Sequence, residues 1–324
     1  MKVLFLGQTG NLEPWFNDVV RAVGEEHEVV LFDPGSPLQP QLRDVGVVID
    51  QGGGIGTHTI VDAAARAGVK LWQVLGTGMD HVDVDYIVEH ALPVANTPGP
   101  FSSIALAEHA MFLMLYFAKN FPVSQHNVRH RAFYRPVNEE LHGRTLGLIG
   151  LGASARELAK RASAFGMHVA GLDIQPPPED VLATLGVTCL GGPEALYELV
   201  RASDYVSVHV PLERSTRHML DAGALAHMRS NSVLINVARG EVVDEAALID
   251  ALRAGRLRGA GIDVFANEPV DPDNPLLQLD NVVLTPHVAG VTSGTSRRRA
   301  GAVADNVRRI AVGLPPLYSI TKTG

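Results

Sequence analysis

An α/β protein with two parallel, doubly wound sheets is the fold class that this 324-residue sequence predicts, on three observations. Short apolar runs alternate with helical patterns almost from end to end, the sequence form of repeated strand–helix–strand units. The 32 Gly and 20 Pro are too many for a helical bundle and suit many short strand–helix connections. The length is about twice the roughly 150-residue domain prior, so one large or two ordinary domains are expected.

A first series of strands is expected at Val3–Leu6, Val29–Phe32, Val47–Ile49, Leu71–Leu75 and Val94–Asn96. Next come a helical pattern over Phe101–Asn120 and a polar arm, Phe121–His142, carrying His126, Arg129, His130, Arg131 and Arg135. A second series follows at Leu146–Ile149, His168–Leu172, Thr188–Leu190, Tyr205–Val210, Val233–Val237, Gly261–Val264 and Val282–Leu284. Helices are expected between them at Ser154–Phe165 and Glu245–Ala254, and a final one at Ser293–Val312. Two sheets account for the two series more simply than one. Both series begin with strand, glycine, helix, second strand and aspartate, a weak repeat of architecture. The arm reads as a domain crossing and the last helix as a return crossing to the first domain.

Composition excludes several classes. Hydrophobic residues at 46% and charged residues at 19% rule out a disordered chain. A net charge of −8 argues against nucleic acid or an anionic membrane as a general partner. The single Cys189 forms no intramolecular disulfide and no cysteine metal cluster, which fits a reducing cytoplasm. Val3–Leu6 is too short for a signal-peptide core of about 7–15 residues. The longest apolar stretch, Ile104–Ala118, contains Glu108 and His109 and falls short of the roughly 20 residues that span a membrane. A soluble, cytoplasmic chain is expected.

The segment Thr145–Ala155 (TLGLIGLGASA) runs a strand into a helix through G-x-G-x-x-A, formed by Gly150, Gly152 and Ala155 with Ala153 and Ser154 between. Such a turn brings the backbone close to a pyrophosphate at the positive end of a helix. Asp173 closes the next strand 23 residues after Gly150, where its carboxylate can accept from adenosine ribose hydroxyls. Ile174 and Gln175 follow, with no arginine for a 2′-phosphate, so NAD is expected, with NADH preferred over NADPH. The rival turn Gly7–Gly10 with Asp33 lacks G-x-G, has Pro14 early in its helix, and reads as scaffold.

Three later strand ends carry polar residues: Ile235–Asp244 (INVARGEVVD), Gly261–Pro269 (GIDVFANEP) and Leu284–Gly290 (LTPHVAG). Ligands of doubly wound sheets bind beyond the carboxyl ends of the strands, so Arg239, Glu268 and His287 are expected to converge on one crevice. Singly they read as a surface charge, a turn residue before Pro269 and a loop histidine. Their joint occurrence after a dinucleotide loop favours a site.

With these segments, and with GTGMDHVD at 76–83, NTPG at 96–99, AEH at 107–109, HVPL at 209–212 and Thr216, the sequence resembles the D-isomer-specific 2-hydroxyacid dehydrogenase family over nearly its whole length. The resemblance implies a Rossmann NAD-binding domain at 101–290 inserted into a flavodoxin-like substrate domain built from 1–100 and 291–324. It also implies a homodimer through the NAD-binding domain. It assigns His287 as general acid/base, Glu268 as its carboxylate partner and Arg239 as the clamp on carboxylate and carbonyl. These are apt chemical types: imidazole transfers protons near neutral pH, a carboxylate orients the ring and favours its charged form, and guanidinium presents a planar fork.

By the same resemblance the backbone around Gly76, Thr77 and Gly78 binds the substrate carboxylate, as consecutive turn amides can. Asp263 accepts from the nicotinamide carboxamide. The segments His209, Val210, Pro211 and Val237, Ala238 form backbone walls of the cofactor cleft, with Thr216 and Gly290 beside it. The family often has a larger residue where Ser154 stands and glycine where Ala155 stands, a departure from its loop pattern.

No metal is expected, since His126 and His130 sit beside Arg129 and Arg131 and no H-E-x-x-H is present. Arg297, Arg298 and Arg299 read as a solvated or inter-element helix face. Phe133 and Tyr134 either reach a substrate pocket or pack the arm. The implied reaction interconverts a 2-keto acid and a D-2-hydroxy acid, with glyoxylate, hydroxypyruvate or a related 2-keto acid the candidate substrates. The pocket is expected to be lined by the 52–56 loop, 76–79 and the arm. The alternatives are 3-phosphoglycerate dehydrogenase activity and, in a different class, an NAD-sensing corepressor-like binding protein. Such relatives usually carry extensions, and the motifs here run from near residue 3 to near 290, so an enzyme without a regulatory domain is expected.

Overall fold

The computed structural model describes all residues except 9, 11, 53 and 321–324. Residue 9 of the 7–10 turn and residue 53 of the 52–56 loop therefore lie outside the described residues. The described strands are β1 (Lys2–Leu6), β2 (Glu28–Leu31), β3 (Val45–Asp50), β4 (Leu71–Val74), β5 (Val94–Ala95), β6 (Thr145–Ile149), β7 (His168–Leu172), β8 (Val187–Cys189), β9 (Tyr205–Val208), β10 (Val233–Asn236), β11 (Gly259–Ile262), β12 (Val282–Leu284) and β13 (Ser319–Ile320).

Two compact units are present, one of Met1–Ser102 with Val291–Gly324, the other of Ser103–Gly290. The first holds a six-stranded sheet in the order β13-β5-β4-β3-β1-β2. Its β3 and β4 are buried at every position, as apolar runs in a parallel sheet covered on both faces should be. The helices Trp15–Val23 and Ser293–Ala311 cover one face through Trp15, Val19, Ala300, Val303 and Val307. The helix His58–Ala67 and Ile87 pack in the opposite cluster with Trp72. At the edge, β13 pairs antiparallel with β5, an element the sequence reading left as a tail. Two residues paired at the end of a proline-containing tail carry no periodicity to read.

The second unit is a seven-stranded parallel sheet, β12-β11-β10-β9-β6-β7-β8. Its order reverses at β6, whose neighbours are β7 on one side and β9 on the other. The crevice beyond the carboxyl ends of such a pair is where doubly wound sheets bind ligands. One face is covered by the helices Ser103–Ala118 and Ala153–Ala164. The latter buries Ala155, Leu158, Ala159 and Ala162, an i, i+3, i+4, i+7 stripe. The other face is covered by Leu199, Leu225, Leu248 and Leu252.

Several local readings change. The expected Phe101–Asn120 helix begins at Ser103, after a single 3-10 turn at Gly99–Phe101. The polar arm opens as the helix Phe121–Arg129, with no buried residue. Phe133 and Tyr134 are exposed, at 63% and 104%, so neither packs the arm. The Arg297–Arg299 run is not a uniform solvated face: Arg297 is exposed, Arg298 Nε donates to Phe101 O at 2.9 Å, and Arg299 points inward.

Candidate active site

Within the second unit the strand-end loops bring His287 and Glu268 together. His287 Nδ1 lies 2.7 Å from Glu268 Oε2, and Glu268 Oε1 accepts from the Phe265 amide at 2.9 Å. Burial alone would raise the Glu268 carboxyl. The hydrogen bonds from His287 and Phe265, with the charges of His287 and Arg239, outweigh it and hold the group below the usual carboxylate range. Both side chains keep substantial exposure, 46% and 35%, so the pair faces open space.

The backbone of His287 sits at φ +54, left-handed for a non-glycine residue. Its amide donates to Asp263 O at 2.8 Å and Thr285 O at 3.0 Å. Asp263 is fully buried. Its Oδ1 accepts from Thr285 Oγ1 at 2.6 Å and the Val288 amide at 2.9 Å, and its Oδ2 from the Ala289 amide at 2.8 Å. His109 Nε2 lies 2.9 Å from Thr285 Oγ1, behind this cluster. Asp263, Thr285 and His109 thus clamp the loop that carries His287. The sequence reading assigned Asp263 only to a cofactor and gave Thr285 no role.

Arg239 follows β10, extended, with Nη1 donating to Ala238 O at 2.9 Å. Asn236 holds the turn, accepting from the Ala238 amide and donating to Arg239 O at 2.9 Å. The next residue must be glycine, because a Cβ on Gly240 would meet the backbone carbonyl carbon of Phe265 at 2.0 Å. That close approach brings the Arg239 turn against the 265–268 segment.

The glycine loop follows β6. Gly150 has φ +89, and a Cβ there would lie 3.1 Å from the His209 carbonyl group. At Gly152, the N-cap of the helix Ala153–Ala164, a Cβ would meet nothing within 4 Å. A close turn beside an unobstructed helix N-terminus fits a bound pyrophosphate. Asp173 accepts from the Leu151 amide at 2.6 Å and the Gln175 amide at 2.8 Å, which ties the end of β7 to this loop. By contrast, Asp33 in the first unit is spent on Gly35 and Ser36 of its own turn.

His209, read from sequence only as backbone, also works through its side chain. Nδ1 lies 2.9 Å from Ser154 Oγ and Nε2 2.9 Å from Ser207 Oγ. Burial pushes the ring down to about 4, so it is neutral. Ser154, a departure from the family's loop, is the residue His209 engages. Thr216 Oγ1 donates to Pro211 O at 2.7 Å and closes the loop holding Val210 and Pro211. Val237 is buried, and Gly290 packs beside Leu106.

In the first unit, Gly76, Thr77 and Gly78 follow β4, and Arg299 reaches this turn with Nη1 3.4 Å from Leu75 O and Nη2 3.3 Å from Thr77 Oγ1. Sequence reasoning missed Arg299. It shares a helical face with buried Ser296, Ala300 and Val303, and that spacing was the available signal. Among the described residues no group of three or more side chains could hold a metal, and no helix is long and apolar enough to cross a membrane.

Residues 111–289 match the family described as D-isomer specific 2-hydroxyacid dehydrogenase, NAD binding domain. The chain is 35% identical over 305 residues to D-3-phosphoglycerate dehydrogenase of Methanocaldococcus jannaschii, covering 93% of this chain and 57% of that one. It therefore spans little more than half the length of that relative. It is 37% identical over 246 residues to glyoxylate reductase of Korarchaeum cryptofilum, covering 74% of this chain and 72% of that one. The fold is similar to a crystal structure of NADPH-dependent glyoxylate/hydroxypyruvate reductase from Sinorhizobium meliloti with NADP and malonate. The TM-score is 0.80 and the identity 30%, over 99% of this chain and 96% of that one. A match through the whole glycine-loop unit, with like-sized relatives above 30% identity, makes this chain a member of the D-isomer specific 2-hydroxyacid dehydrogenase family.

Proposed function

We propose that the chain is an NAD-dependent oxidoreductase that interconverts a small 2-keto acid and its D-2-hydroxy acid. The observation that carries this reading is the His287–Glu268 pair, 2.7 Å apart and open to a ligand. When bound, the nicotinamide cofactor supplies the hydride. His287 supplies or takes the proton at the substrate oxygen through Nε2, because Nδ1 is engaged by Glu268. Glu268 fixes the ring and balances its charge. Arg239 holds the substrate carboxylate and polarises the carbonyl. Gly76, Thr77 and Gly78 give the carboxylate further amide donors.

Gly150, Gly152, Ala153 and Ser154 hold the pyrophosphate, and Asp173 the adenosine ribose. His209, Val210, Pro211, Thr216, Val237, Ala238, Asp263 and Gly290 form the rest of the cofactor cleft. The carboxylate of Asp173, with no arginine at 174 or 175, supports NADH over NADPH. Glyoxylate and hydroxypyruvate are the substrates proposed, supported by the relatives named for them. A homodimer through the NAD-binding unit is proposed on the exposed Phe121, Val123, Val128, Phe133 and Val137 of the arm.

The deciding experiment follows NADH oxidation with glyoxylate, hydroxypyruvate, pyruvate, a branched 2-keto acid and 3-phosphohydroxypyruvate. Turnover of the first two supports the reading, and preference for the phosphorylated acid moves it to 3-phosphoglycerate chemistry. Silence across the panel with intact NADH binding favours an NAD-sensing binding protein.

A further inference from the structure

The turn after β4 leaves its amides unpaired while most of its carbonyls are engaged. Three of its carbonyls are occupied: Gly76 O accepts from the Thr97 amide at 3.1 Å, Thr77 O from Asn96 Nδ2 at 3.1 Å, and Leu75 O from Arg299. Thr77 Oγ1 donates to Thr97 O at 3.0 Å. Among the described residues, the amides of Gly76, Thr77 and Gly78 find no acceptor. Three consecutive unpaired amides in one turn suit an anion.

Behind it stands Arg299. Its guanidinium lies 5.6 Å from the centre of the Trp15 ring and forms no ion pair with any described carboxylate. Its Nε is buried without a partner, as are Trp15 Nε1, Ser296 Oγ and Thr97 Oγ1. Burial, with Arg298 nearby, pushes the group down to about 10, so it still carries its charge at neutral pH. A buried cation without a counter-ion is costly unless something negative completes its surroundings.

We propose that Arg299 is a positioning residue for the substrate carboxylate, fixing the Leu75–Gly78 turn with its amides outward and supplying the counter-charge that an anion on those amides feels. The inference rests on the reading that Gly76, Thr77 and Gly78 hold that carboxylate. Arg299 does not touch the substrate. It acts through Leu75 O and Thr77 Oγ1, and in a low-dielectric interior that charge reaches through the turn.

The test compares wild type, Arg299→Met, Arg299→Gln and Arg299→Lys, each checked for folding by thermal unfolding and NADH affinity. Calorimetry with oxamate on the NADH-loaded protein gives Kd, and glyoxylate turnover gives KM. Met and Gln are expected to raise both by about tenfold, the loss of one charge-assisted interaction, with NADH affinity unchanged and Lys recovering most of the loss. Unchanged oxamate Kd in Met or Gln overturns the proposal, and so does Lys binding no better than Met. Amide resonances of 15N-glycine-labelled wild type score the underlying reading separately. If oxamate leaves Gly76 and Gly78 unmoved, identified through their Ala variants, the turn assignment falls. If they move while Arg299→Met keeps its Kd, only the role of Arg299 falls.

Discussion

His287 Nδ1 and Glu268 Oε2 meet at 2.7 Å although 19 residues separate them, because both are pinned to one segment after β11. The Phe265 amide holds Glu268 Oε1, and Asp263 O takes the His287 amide. The pair is thus set by backbone anchors before any ligand arrives.

Replacing Glu268 by Gln keeps a hydrogen-bond acceptor and removes the charge. The carboxyl is held below its usual range, so it is ionised throughout the neutral region and favours a charged imidazole. With the charge gone, the alkaline limb of kcat/KM for keto-acid reduction is expected to move to lower pH. A limb that stays in place would mean that Glu268 does not act on the proton of His287.

Asp263 tests the clamp. Asparagine offers one oxygen where three donors, Thr285 Oγ1 and the amides of Val288 and Ala289, now converge. One buried N–H loses its acceptor and faces an NH2 group, a cost of about 1–3 kcal/mol. Asp263→Asn is expected to lower the unfolding free energy by that amount and to cut kcat as the His287 loop loosens. Full kcat in a folded variant would show that the loop holds its left-handed residue unaided.

Asp173 bears on cofactor choice. Asn at this position can keep its one oxygen on the Leu151 amide and gives up the exposed bond from the Gln175 amide, so the loop stays closed while the charge goes. The preference of kcat/KM for NADH over NADPH is expected to fall about tenfold, since charge repulsion with a 2′-phosphate disappears. An unchanged ratio would place the discrimination elsewhere.

Much of this was legible in the sequence because it was local. The glycine loop, the closing aspartate and the three polar strand ends each lie within a short stretch, and parallel strands betray themselves as apolar runs. The rest depended on partners far apart in sequence. Nothing near Asp263 announces Thr285 and the amides of 288 and 289, nor does Arg299 announce Leu75, 224 residues away. The triple arginine was read as a solvated or inter-element face, and helical phase divides it between the two: Arg297 is exposed, while Arg298 and Arg299 reach other elements. β13 was missed because two residues paired at a sheet edge leave no pattern.

His209 couples stability to pH. Burial depresses its folded value to about 4, whereas an unfolded histidine protonates near 6.5. Between those values the unfolded chain binds the extra proton, so stability falls as pH falls. The contribution is complete above about pH 6.5 and gone below about 4, with an upper bound of about 3 kcal/mol. His209→Gln keeps polar contact with Ser154 and Ser207 but does not titrate. Chemical unfolding from pH 7 to 4.5 is expected to cost wild type more than the variant, with the gap opening below pH 6.5. Parallel losses would mean that the ring is protonated as easily folded as unfolded.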